Sequence, residues 1–170
     1  MLQQPARFPL IDGFGFAAAG GSLRGAWPVS VLPRLREELH DNAGAVEFEV
    51  EGGCDALGRP QLALRASATL MLTCRRCLAP VECVLGAEAI LLLAASQEEI
   101  DAEPISVEGP EWIVAQKEMA LRDLVEDELL LALPYAPRHE NCPAQGREAQ
   151  ERRHTPFEGL RGMLRGKNRH

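Results

Sequence analysis

Between Ala45 and Ala94, apolar residues fall on every second position, and a C-x-x-C turn interrupts the pattern. Val46, Phe48 and Val50 alternate with Glu47, Glu49 and Glu51. After a loop marked by Gly52-Gly53-Cys54-Asp55 and Leu57-Gly58-Arg59-Pro60, the residues Leu62, Leu64, Ala66, Ala68, Leu70 and Leu72 carry the alternation to Cys74-Arg75-Arg76-Cys77. A period of two puts one set of side chains on each face of a strand, so these runs predict half-buried β-strands. Val81 to Ala94 predicts a further long strand, bent or bulged near Gly86. Two long runs joined by a short turn form a hairpin, which sets Cys74 and Cys77 at its tip.

Helical spacing appears on either side of this region. Val31, Leu32, Leu35 and Leu39 lie on one stripe, and Pro33 suits a first turn because its missing N–H would have no partner there. Leu121, Leu124, Val125, Leu129 and Ala132 form a second stripe that Pro134 ends. Arg122, Asp123, Glu126 and Asp127 fall mainly opposite it and read as a solvated face, while Glu128 comes close to the stripe. Ser96 to Glu103 reads as an acidic loop, and Ile105–Val107 and Trp112–Val114 as short edge strands. The predicted fold class is α+β: an antiparallel meander, open or closed like a barrel, packed with two or three helices. Residues 1–25 are a Gly/Ala-rich segment whose run Phe14 to Gly21 looks loop-like, residues 26–142 a single domain, and residues 143–170 a flexible, polar, basic tail.

Charge divides the chain unevenly. The total is −7, made of −11 up to Gly146 and +4 from Arg147 to His170. Arg152, Arg153, Arg161, Arg165, Lys167 and Arg169 therefore offer phosphate contacts that the acidic body does not, or else form a plain solvated end. Arg75 and Arg76, exposed at a hairpin tip, present the bidentate fork that grips phosphate, and equally keep a tip soluble. Aromatics make up only 5% of the residues, so base-stacking platforms are scarce. The longest apolar stretch, Ala89 to Ala95, is too short to span a bilayer, and no export signal is visible at the N-terminus. A cytoplasmic, reducing setting is the expectation, with the five cysteines as thiols or metal ligands.

Zinc takes four nitrogen or sulfur donors, and C-x-x-C supplies two from one turn. His139 and Cys142, just past the second helix, would complete a set of Cys74, Cys77, His139 and Cys142. Cys83 is a competing ligand or a core thiol. Small apolar thiols closing a hairpin, and a redox pair, stand as the other readings of the motif. No Gly-x-Ser-x-Gly, His-Glu-x-x-His or P-loop pattern is present, so catalysis has no positive support.

Cys74-Arg75-Arg76-Cys77-Leu78-Ala79-Pro80, then Leu121-Arg122-Asp123-Leu124-Val125-Glu126-Asp127-Glu128-Leu129-Leu130-Leu131-Ala132-Leu133-Pro134, then the His/Cys pair and Pro156-Phe157-x-x-Leu160 with basic residues after it, resemble the YceD family. The resemblance implies a non-enzymatic bacterial factor needed for accumulation of 23S rRNA, acting in large-subunit biogenesis. Its partner would be rRNA or a large-subunit ribosomal protein, with no membrane and no small-molecule substrate involved. The competing class is a small zinc-stabilised protein-interaction module unrelated to ribosomes.

Overall fold

The computed structural model describes residues 8–104 and 109–142. Among these residues five strands form one open sheet in the order β2-β3-β4-β5-β6, with β2 Ser22–Pro28, β3 Ala45–Cys54, β4 Pro60–Thr73, β5 Pro80–Ala94 and β6 Glu111–Val114. From β2 to β5 the pairing is an antiparallel meander in constant register. The expected bulge at Gly86 does not occur: Gly86 faces Ser67 within an unbroken ladder. The sheet does not close into a barrel. Among the described residues its edges are β2 and β6; β6, at the short edge strand expected for Trp112–Val114, runs parallel to β5.

The alternation seen in the sequence becomes a two-faced sheet. Val46, Phe48 and Val50 share a buried face with Leu62, Leu64, Ala66, Ala68, Leu70 and Leu72, and across the next strand with Val81, Leu85, Ala87 and Leu91. Helix α4, Leu121–Ala132, lays Leu121, Val125 and Leu129 on this face over β4 and β5. Removing one of these leucines would leave a cavity costing roughly 2–5 kcal/mol. On the other face Arg24, Glu49, Arg65 and Glu88 stand in one row across four strands, and Arg65 pairs with Glu49, Glu51 and Glu88 at 3.7, 4.0 and 3.8 Å.

The N-terminal region is more ordered than a loop. β1, Leu10–Ile11, pairs antiparallel with β7, Met119–Ala120, at the start of α4, and α1 spans Gly13–Ala18. Asp12 starts α1 by accepting the N–H of Gly15 at 3.1 Å. The helix can lie against β3 because Gly52 has no side chain: a Cβ there would stand 2.5 Å from the Phe16 carbonyl oxygen. Residues 10–25 thus belong to the packed body through β1, α1 and the first part of β2.

The Pro28–Leu39 helix is shorter than its stripe, a 3-10 turn at Val29–Val31 followed by α2 at Pro33–Glu37. Ser96 to Glu103 is not a loop but α3, Gln97–Ala102. Ser96 accepts the N–H of Glu99, whose carboxylate in turn accepts that of Ala95, a reciprocal cap close to a capping box. The expected strand at 105–107 and the basic tail lie outside the described residues.

Candidate metal centre

Thr73 of β4 faces Pro80 of β5, leaving Cys74 to Ala79 to turn the chain. Two backbone bonds shape this knuckle, Cys74 N–H to the Ala79 carbonyl and Leu78 N–H to the Cys74 carbonyl, each 2.9 Å. Leu78 takes a left-handed φ of 62°, a conformation usually left to glycine. The turn therefore folds back on Cys74 and aims both thiols at one point.

The second pair of donors arrives from the strap that follows α4. Arg75 N–H donates to the Pro137 carbonyl at 2.9 Å and fixes the strap on the knuckle. As a result one donor atom from each of Cys74, Cys77, His139 and Cys142 lies within 4.8 Å of all the others. Cys74 Sγ is 3.8 Å from Cys142 Sγ, and Cys77 Sγ is 3.4 Å from His139 Nδ1. A tetrahedral centre with metal–sulfur bonds of ~2.3 Å has sulfur–sulfur edges of about 3.8 Å, the separation of Cys74 and Cys142, so three thiols and an imidazole gathered this closely form a donor set of the kind that zinc takes. The same separation is far too long for a disulfide, whose bond is ~2.05 Å.

The surroundings suit a metal as well. His139 Nε2 meets the Pro80 carbonyl oxygen at 2.9 Å, which leaves Nδ1 as the inward donor. Leu72, Val81, Cys74 and Cys142 are buried together, with Leu39 and Leu133 packed around them. Burial alone would raise the Cys74 thiol, but the backbone N–H groups of Cys77, Arg76 and His139 outweigh it and hold the thiol well below its usual range. Cys142 is pushed up by burial and then by its two cysteine neighbours. The Pro80 carbonyl, and after it the Cys74 thiolate, raise His139 above ordinary imidazole. Crowded thiols of this kind are what a dication relieves.

Cys83 is no ligand here. It faces Leu70 across the ladder, half-buried beside the cluster, and burial raises its pKa. Cys54, the last residue of β3, is exposed and far along the chain from the cluster residues. Arg75 and Arg76 are exposed on the knuckle between the two thiols. Arg152, Arg153, Arg161, Arg165, Lys167 and Arg169 lie outside the described residues. Sequence reasoning did not single out two exposed residues of the strap, Tyr135 and Arg138, which flank the Arg75–Pro137 bond to the tip. It also placed Glu126 on a solvated face, whereas Glu126 is 1% exposed.

Fold and site together define an open-sheet α+β protein whose longest hairpin ends in a Cys3His knuckle. The model of the YceD family, described as large ribosomal RNA subunit accumulation protein YceD, matches residues 62–162. That is more than half of the chain and takes in nearly all of β4, with β5, α4 and all four cluster residues, so the chain belongs to the YceD family. Comparisons with curated proteins and with solved structures found no match. Among the described residues no helix is long and apolar enough to cross a membrane.

Proposed function

We propose that this protein supports the accumulation of 23S rRNA during biogenesis of the large ribosomal subunit, in the cytoplasm and without catalysing a reaction. The observation that carries this reading is the family match over residues 62–162, which covers the knuckle and reaches into the basic tail. Zinc held by Cys74, Cys77, His139 and Cys142 is assigned a structural role, because three thiolates and an imidazole fill a tetrahedral shell and leave no open position for a substrate. What the metal supplies is a fixed attachment of the strap to the hairpin tip. Arg75 and Arg76, with Arg152, Arg153, Arg161, Arg165, Lys167 and Arg169 of the tail, are assigned to phosphate contact.

Deleting the gene and comparing large- and small-subunit rRNA tests the reading. The expected result is a fall in the large-subunit species together with sedimentation of the protein with large-subunit precursors. An unaltered ratio and unaltered precursors would refute it, and would leave the zinc-stabilised interaction module as the better description.

A further inference from the structure

The chain has one tyrosine, Tyr135, and it is 99% exposed. Pro134 precedes it and Pro137 follows two residues on, so the backbone that carries the ring has little freedom to fray. Tyr135 lines a cleft of about 590 Å³ between the end of α2, the hairpin tip and the strap, together with Leu39, Leu72 and Leu133. Arg75 lines the same cleft, while Arg76 and Arg138 are exposed in the adjoining turn and strap.

We propose that this cleft receives one unpaired nucleotide of RNA, its base stacked on Tyr135 and its flanking phosphates held by Arg75, Arg76 and Arg138. The inference rests on the RNA-contact reading above and says where and how that contact selects its target. An aromatic ring presented to solvent beside arginines is the combination that single-stranded RNA requires, a π-face for the base and forks for the phosphates. The volume lies within the range of small-ligand pockets, ~300–1,000 Å³. Glu37 and Glu38 on the cleft's α2 side turn phosphate away from that wall and present acceptors to the exocyclic amino groups of a base. The outer sheet face, with Glu47, Glu49, Glu51, Glu82 and Glu88 against Arg24 and Arg65, repels a polyanion, which leaves the knuckle end as the approach. A duplex keeps its bases stacked inside and cannot offer one to Tyr135, so the site selects unpaired RNA.

The test uses the intact chain purified without chelator, a single-stranded oligoribonucleotide of about 12 nucleotides, and the same sequence as a duplex, with affinities measured over a range of salt. The single strand should bind more tightly. Tyr135→Ala should weaken it roughly 5- to 150-fold with an unchanged salt slope, and Tyr135→Trp should restore it. Arg75→Ala with Arg138→Ala should lower the logarithmic salt slope by about 1.4, since each single-strand phosphate contact contributes ~0.7. Because Tyr135 is exposed, its variants should melt like the parent, so a loss of affinity reports on the site.

An unchanged affinity in Tyr135→Ala overturns the cleft proposal, as it would if a protein rather than RNA docked there, while leaving phosphate contact through the arginines standing. Equal losses on duplex and single strand overturn it too. If the chain binds no RNA at all, yet gene deletion still lowers 23S rRNA, the cleft fails and the large-subunit role survives.

Discussion

Glu126 lies on the polar side of the α4 periodicity, but its carboxylate is buried against the first turn of α2. That turn has free N–H groups at Arg34 and Leu35, since Pro33 has none and Leu32 supplies no side-chain cap. Glu126 Oε1 accepts both, at 2.7 and 3.0 Å, and Oε2 accepts Arg34 Nε at 3.1 Å. Glu126→Ala should therefore cost about 2–4 kcal/mol, mainly from the two backbone donors left without an acceptor, because Arg34 is half exposed and keeps Asp127 as a partner, read as a lower midpoint in denaturant. Glu126→Gln keeps an acceptor and should cost less, and equal losses in the two variants would mean that packing rather than capping is at stake. At Leu78 the backbone takes a conformation that a β-carbon disfavours, and the side chain is 70% exposed, so little packing is at risk. Leu78→Gly should stabilise the protein by about 0.5 kcal/mol, the relief of left-handed strain outweighing the extra freedom of glycine in the unfolded chain. A destabilised variant would show that Leu78 packs more than its exposure indicates.

The elements that position the site differ in how openly the sequence declares them. The long hairpin was legible because alternation fixes both its faces, and a turn between Thr73 and Pro80 can then only project the two cysteines from one end. The ligand pairing with His139 and Cys142 was legible as a donor set, but not the strap geometry, which depends on one long-range bond from Arg75 to Pro137. α1 was missed because its support is tertiary, a close backbone approach at Gly52. α3 was missed although Ser96 and Glu99 stand in capping-box spacing. The direction of β6 could not be read, since periodicity carries no sign for parallel or antiparallel pairing. Where α4 meets β6, Glu128 has its pKa raised by burial first, then by Glu111 and Asp127. The protonated form is thus favoured in the folded state: that stability is present below the ordinary glutamate range and is lost as pH rises through the higher folded value. Glu128→Gln should accordingly raise Tm at pH 7 by about 1–2 °C, with the gain vanishing as pH falls below about 4.3. A gain of the same size at both pH values would assign the effect to something other than ionisation.

Across the whole molecule, the knuckle lies at one end of a body with a core of its own. The main cluster runs from Ile11 through the sheet to Leu129, whereas Leu72, Cys74, Val81 and Cys142 form a separate small one at the tip. Zinc fingers unfold without metal because they have no other core, but here the sheet and α4 share a hydrophobic core that includes none of the four donors. Chelation should therefore lower Tm without abolishing folding, and its effect should be local. Hydrogen exchange would show this directly. On removal of metal, the amides of Arg75 and Leu78 should lose protection as the strap leaves the tip, while those of Leu64, Ala66 and Leu85 in the central ladder keep theirs. Lowering the pH should reproduce the same local opening, because thiolates and imidazole must be deprotonated to hold zinc. Loss of protection throughout the ladder on chelation would show instead that the metal holds the entire fold, and no change at the tip would show that the four side chains meet without needing a metal between them.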